Sequence, residues 1–195
     1  MEINRDFDLS HNSWAGNDPR SILLHTTLGG GNITGVIDTL EARGLSYNYV
    51  IKNGIVYELV PYTRCAWHSG VVSGMNLRAL AFYKDGKGPN NPNRHSVGIA
   101  FDYSQGEFQL LEKDIDAAIL LIKWLGQETG HRYNADNIFF HREVTSYKPL
   151  EVKHYRDQVL EALVGDKDDK DQGETAKAEL LRRVLIEIIK RYTRM

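Results

Sequence analysis

Two histidines, each at the end of a short apolar run, are suited to metal chemistry. Residues 21–25 read SILLH and residues 137–141 read NIFFH, so His25 and His141 follow runs typical of buried strands. A side chain at the end of such a strand projects into the crevice beside the sheet. Neutral imidazole is a good ligand for catalytic zinc, which takes three protein ligands and a water. Either histidine alone would more often be a hydrogen-bonded core residue, but the two together favour a metal site.

Five segments, taken in order, make the chain similar to a known enzyme family. They are LLHTTLGG, SYNYVIKNGIVYELVP, CAWHSG, HSVGIAFDY and NIFFHREVTSYK. Their order and spacing resemble those of the zinc N-acetylmuramoyl-L-alanine amidases, which include phage amidases and peptidoglycan recognition proteins. Any one segment is a weak signal, whereas five in the family's order are specific.

The resemblance implies a reaction and roles for individual residues. It implies that Zn²⁺ bound by His25 and His141 activates water to hydrolyse the amide bond between N-acetylmuramic acid and L-alanine in peptidoglycan. Tyr47 matches a catalytic tyrosine found in phage members, and Lys148 resembles the family's catalytic lysine; both would stabilise the negative charge of the intermediate. Without the resemblance, Tyr47 would be taken as an ordinary strand tyrosine and Lys148 as a solvated loop lysine.

One departure from the family concerns its general base. Many members have a glutamate where this chain has Ala100. Some phage members also lack that glutamate and rely on the tyrosine and the lysine, so the resemblance moves toward that subgroup. Asp102 lies two residues further along the same strand face, but we expect that it does not substitute.

A larger departure concerns the third metal ligand. The family places an aspartate or cysteine two residues after the lysine, where this chain has Leu150, which cannot bind zinc. We predict Glu151 as the third ligand, because two histidines and a glutamate form a known catalytic zinc set; His154 is the alternative. If neither residue binds metal, the chain would be a catalytically impaired peptidoglycan-binding module.

The segment CAWHSG carries the predicted substrate-binding residues. His68 is expected to line the substrate groove, and a partly exposed loop histidine is the alternative. Trp67 could stack on a sugar as part of the substrate site or pack in the core, and the core is favoured. Cys65 is expected to be a buried small apolar residue.

The alternation of predicted strands and helices indicates an α/β fold, with a central mixed β-sheet of about five or six strands flanked by helices. Asn53-Gly54 between two β-rich runs predicts a hairpin. Apolar spacing over residues 111–129, followed by Gly130, predicts a helix. Shorter helices are expected over residues 35–42, capped by Thr34, and over residues 152–164. Residues 70–94 are rich in glycine, proline and asparagine and are expected to form a surface loop.

The composition changes near residue 165, which predicts three parts of the chain. Residues 1–165 would form the amidase domain, residues 166–174 a charged linker and residues 175–195 an amphipathic C-terminal helix. The apolar stripe of that helix needs a cover. Packing back on the domain, self-association and binding to an anionic surface are the alternatives.

Charge and composition exclude some classes of partner. The 195 residues carry a net charge of −2, which gives no basic field for nucleic acid. No apolar run approaches a membrane span, so no stable membrane insertion is expected. The first residues lack the features of a signal peptide. We therefore expect a protein that is cytoplasmic as synthesised and acts on the cell wall when released during phage lysis; a cytoplasmic muropeptide-recycling amidase is the alternative.

Overall fold

A mixed six-stranded sheet organises the part of the chain that the structure, a computed structural model, describes: residues 2–27, 31–70, 72–103, 110–146 and 157–163. The strands are β1 (Ile3–Asn4), β2 (Ser13–Ala15), β3 (Ser21–Thr26), β4 (Tyr49–Lys52), β5 (Ile55–Glu58), β6 (Arg64–Ala66), β7 (Ser96–Phe101) and β8 (Ile138–Phe140). The helices are α1 (Ile33–Ala42), α2 (Leu77–Tyr83), α3 (Glu112–Thr129) and α4 (His141–Val144), with 3-10 turns at Ser10–Asn12, Gly88–Asn90 and Pro92–Arg94 and a helical stretch at 157–163.

The strand order explains why the central strands are apolar along their whole length. The order is β1-β5-β4-β7-β3-β8, and only the β4–β5 pair is antiparallel. Every residue of β3 and β7 is buried, as parallel strands covered on both faces require. The predicted α/β fold with a mixed central sheet is confirmed. A separate two-stranded sheet pairs β2 with β6.

Helices cover both faces of the sheet. Val36, Ile37 and Leu40 of α1 pack in one cluster with β4 and β7 residues. The helix α3 lies on the other face, where the rings of Trp124 and Tyr49 meet edge to face at 6.4 Å. The predicted helix over residues 111–129 is therefore confirmed, and Gly130 ends it in the left-handed conformation (φ 70°).

The predicted hairpin and the first helix are also confirmed, with one correction. Asn53 and Gly54 have φ values of 55° and 81°, the left-handed pair that a two-residue hairpin turn needs. The cap of α1, however, is Asn32 and not Thr34. The Asn32 side chain accepts a hydrogen bond from the Gly35 amide, which satisfies a donor at the helix start.

The expectation that residues 70–94 form only a surface loop is wrong. This segment contains α2, whose Ala79 and Tyr83 are buried with Leu23 and Phe139 of the sheet. Asn76 caps the helix by accepting from the Ala79 amide. Seven residues give too short a periodic pattern to stand out among the turn-forming residues around them.

Several predictions concern residues outside the described part of the chain. Residues 157–163 are helical, in agreement with the helix expected over 152–164, of which the structure describes this portion. The linker 166–174 and the helix 175–195 lie outside the described residues, and so do Lys148, Glu151 and His154. Among the described helices, none is both long and apolar enough to cross a membrane.

Candidate active site

Neighbouring strands bring the two predicted metal ligands together. His25 is the fifth residue of β3 and is fully buried, and His141 directly follows β8 as the first residue of α4, with 4% exposure. Because β8 pairs in parallel with β3, both chain segments arrive at the same edge of the sheet. The two ring centroids are 4.6 Å apart.

This separation fits a shared zinc ion. Zn–N bonds of about 2.0–2.1 Å allow two imidazoles this close to bind one metal. Within the described ranges, no three His, Cys, Asp or Glu side chains form a complete metal-binding set. A third protein ligand would therefore have to come from elsewhere, and the predicted Glu151 and the alternative His154 both lie outside those ranges.

A third histidine, His68, adjoins the pair. Its ring centroid is 5.1 Å from that of His25, and its Nδ1 lies 3.0 Å from His25 Nε2. His68 is only 5% exposed, so the alternative of a partly exposed loop histidine is wrong, whereas its place beside the substrate groove stays a prediction. Burial and the nearby His141 lower the pKa of His68 to about 3, which keeps the ring neutral.

Glycine at position 98 makes room for this ring. A Cβ atom at Gly98 would lie 2.6 Å from His68 Cγ and 2.7 Å from Cδ2, well inside contact distance. Gly98 sits in the middle of β7, so the imidazole of His68 lies directly against the sheet backbone. The glycine of HSVGIAFDY therefore has a packing reason.

The backbone after Trp67 is fixed by one buried side chain. Asn93 Oδ1 accepts hydrogen bonds from the amides of His68 (3.2 Å) and Ser69 (2.8 Å). The Ser69 carbonyl in turn lies 2.9 Å from Nε2 of His141. Sequence reasoning missed both Asn93 and Ser69, because their roles depend on contacts between distant parts of the chain.

Tyr47 and Trp67 occupy different surroundings. The Tyr47 ring centroid is 5.0 Å from that of His25, and the residue is half-buried just before β4. Trp67 is 47% exposed, so the favoured interpretation as a core residue is wrong. Its ring packs edge-on against Trp14 with centroids 4.4 Å apart. Cys65 is fully buried, as predicted.

The general-base position contains no acid. Ala100 is the register partner of His25 on the neighbouring strand, and its methyl group offers no proton acceptor. Asp102 is buried, and its carboxylate is paired with the Lys52 ammonium and the Thr27 hydroxyl. These contacts give Asp102 a structural function.

An ion pair that sequence reasoning missed braces the turn after His141. The guanidinium of Arg78 contacts both carboxylate oxygens of Glu143 at 2.8 and 2.7 Å and lies 4.0 Å from the Phe139 ring centre. Glu143 also accepts from the Phe140 amide at 3.0 Å. The brace joins α2 to the strand that delivers His141.

Comparison with known proteins agrees with this geometry. The sequence profile of the N-acetylmuramoyl-L-alanine amidase family matches residues 15–156, well over half of the chain. No curated protein is similar enough to count as a relative.

Several solved structures share the fold at low sequence identity. PlyL matches at 18% identity and a TM-score of 0.55, over 74% of this chain and 84% of that chain. The endolysin N-acetylmuramoyl-L-alanine amidase LysCS from Clostridium intestinale URNW matches at 18% and 0.53, over 73% and 82%. The catalytic domain of XlyA matches at 23% and 0.52, over 75% and 88%. At these identities the likeness establishes the fold, and the family match carries the assignment. The chain therefore belongs to the N-acetylmuramoyl-L-alanine amidase family, whose members act on peptidoglycan.

Proposed function

We propose that this chain is a zinc-dependent amidase that cleaves the bond between N-acetylmuramic acid and L-alanine in the manner of a phage lysis enzyme. The observation that carries the proposal is the buried pair His25 and His141, with ring centroids 4.6 Å apart on adjacent strands. Family members are generally zinc-dependent. We propose Glu151 as the third ligand, with His154 as the alternative.

The chain's own residues would then orient the substrate and stabilise charge. When bound, zinc supplies an activated water and polarises the carbonyl of the scissile amide. We propose that Tyr47 donates a hydrogen bond to the oxygen that gains negative charge, and its ring, 5.0 Å from that of His25, supports this proposal. We propose Lys148 as a second donor, on the family resemblance. Trp67, half exposed beside His68, offers a stacking surface for a sugar.

The lysis function is supported by the kind of protein that shares the fold. LysCS is described as an endolysin, and a phage lysis enzyme acts on the cell wall after release through a membrane lesion. We propose the same for this chain. A cytoplasmic muropeptide-recycling amidase would instead act on soluble fragments, and comparing turnover on intact walls with turnover on soluble muropeptides separates the two.

The test of the chemistry measures metal and products together. Zinc content is measured after purification without added metal, and purified cell walls are then digested. New amino groups without new reducing sugars are expected, since the amide and not the glycosidic bond is cleaved. His25→Ala should lose both zinc and activity, whereas His11→Ala, on the exposed surface, is the matched control that should keep both. Wall binding with no new amino groups would refute the enzyme and indicate a peptidoglycan-binding module.

The third ligand has its own pair of variants. If Glu151 binds the metal, Glu151→Ala should lower zinc affinity and His154→Ala should not. The opposite result would assign the ligand to His154. If neither variant loses zinc affinity, the chain holds zinc through other residues and both assignments are refuted.

The amphipathic helix over residues 175–195 stays a prediction, and we propose that this helix can self-associate. Light scattering of the full chain against a chain truncated after residue 165 tests this. A monomeric full-length protein would refute self-association.

A further inference from the structure

We infer that His68 and the Ser69 carbonyl are positioning groups that hold His25 and His141 as Nε2–H tautomers, so that Nδ1 of each ring is the metal-binding atom. The metal-binding half of this inference rests on the proposed zinc function. The tautomers themselves do not, because neighbouring groups of the protein determine them. His68 thereby acts through His25 and is a positioning residue, not a substrate contact.

In the contact between His141 and the Ser69 carbonyl, only the imidazole ring can be the hydrogen-bond donor. The Ser69 carbonyl oxygen lies 2.9 Å from His141 Nε2 and has no proton to give. The hydrogen bond therefore requires a proton on Nε2. In a neutral imidazole only one nitrogen carries a proton, so Nδ1 of His141 keeps its lone pair.

A chain of hydrogen bonds with one direction leads through His68 to His25. The Ser96 hydroxyl donates its proton to the Pro92 carbonyl at 2.7 Å, so toward His68 it can only accept. Its Oγ lies 3.4 Å from His68 Nε2, which therefore carries the proton of that ring. His68 Nδ1 is then an acceptor, and the 3.0 Å contact requires a proton on His25 Nε2. His25 Nδ1 is left with its lone pair.

The positioning groups are themselves held firmly. Asn93, only 2% exposed, accepts hydrogen bonds from the backbone amides of His68 and Ser69. The ring of His68 is pressed against Gly98, where even a methyl group would not fit. A single short segment thus fixes both histidines, which lie on different strands. Such outer partners set the tautomer and the orientation of metal-binding histidines.

The first experiment reads tautomers in the metal-free protein. Long-range ¹H–¹⁵N NMR spectra of the full chain at neutral pH distinguish protonation at Nδ1 from protonation at Nε2. We expect Nε2–H for His25, His68 and His141 in the wild type. A proton on Nδ1 of either His25 or His141 would overturn the inference, whatever the protein does with zinc.

The second experiment distinguishes the hydrogen bond that His68 accepts from the space that its ring fills. His68→Asn places an amide oxygen near the position of Nδ1 and can still accept from His25, whereas His68→Ala cannot. Zinc affinity, measured by competition with a chelator, should fall by about 10- to 100-fold in His68→Ala. Substantial recovery is expected in His68→Asn, and no change in His11→Ala. If both His68 variants are folded by their NMR spectra and lose zinc affinity equally, the positioning function is overturned.

The two proposals fail in different ways. A wild type that binds no zinc but shows the expected tautomers refutes the zinc centre and leaves the positioning of the rings intact. A wild type that binds zinc with an Nδ1–H tautomer at either ligand refutes the inference and leaves the zinc centre intact.

Discussion

Adding one methyl group at Gly98 should destabilise the protein through a single neighbour, His68. The three atoms nearest to an added Cβ all belong to that imidazole, at 2.6, 2.7 and 2.9 Å. The backbone itself tolerates alanine there, since Gly98 does not adopt a left-handed φ. Overpacking of this kind costs about 1–3 kcal/mol. We expect Gly98→Ala to lower the free energy of unfolding by that amount.

Removing the ring should remove the cost. In a His68→Ala background the clashing atoms are absent, and alanine in place of glycine stabilises a compatible site by about 0.4–1 kcal/mol, through the unfolded state. The two effects together predict a coupling of about 1.4–4 kcal/mol between the substitutions, whereas sites without contact add nearly independently. Because Gly31 has nothing within 4 Å of its would-be Cβ, Gly31→Ala is the matched control and should show no coupling to His68.

The assay is urea unfolding of the metal-free protein, so that ligand binding does not add to stability. The four proteins with every combination of wild-type residue and alanine at positions 98 and 68 are measured. Their free energies of unfolding are compared where the dependence on urea concentration is the same. If Gly98→Ala costs the same with and without the His68 ring, the ring does not lie against the strand as described. In that case the position described for the His68 ring would be wrong.

Three further predictions concern other contacts. Arg78→Ala leaves the buried carboxylate of Glu143 without its guanidinium and should cost about 3–5 kcal/mol; an unchanged thermal midpoint would contradict this. Burial raises the pKa of Tyr49 and Tyr83, so the native state keeps protons that the unfolded state releases above about pH 10. Stability should therefore fall as pH rises beyond 10, by about 1.4 kcal/mol per pH unit for each tyrosine, and Tyr83→Phe should lessen the slope measured by urea unfolding. Cys65 is fully buried, and burial raises the pKa of its thiol, so a thiol reagent should modify the native protein far more slowly than the unfolded protein; equally rapid labelling of both would refute the buried placement.

Local patterns were sufficient to predict much of the fold. The Asn53-Gly54 hairpin depends on two residues that accept positive φ, and both adopt it. The helix α3 shows its apolar period over eighteen residues and ends on glycine, so neighbours along the chain specify it. The strand carrying His25 reads as a continuous apolar run, because both of its faces are buried.

Contacts between distant segments decided the rest. The short helix α2 enters the core through Tyr83, whose hydroxyl forms a hydrogen bond with the Ser21 hydroxyl at 2.6 Å. Seven residues give too short an apolar period to predict this helix. The core is the favoured place for Trp67 from the sequence, yet its neighbour in space, Trp14, meets it on a half-exposed surface. Burial depends on which surface faces a residue, and the residue type alone does not specify that surface.

The sequence by itself determined which residues are candidates for the site, and the tertiary structure determined which of them lie together. His25, His141 and Tyr47 could be named as candidates from residue types and motif order, because metal binding and proton donation require particular side chains. The groups that contact the two imidazoles, His68 and the Ser69 carbonyl, approach His25 and His141 from positions more than forty residues away in the chain. A hydrogen bond acts over about 3 Å in space regardless of sequence separation, so only the folded chain could show which groups face each ring.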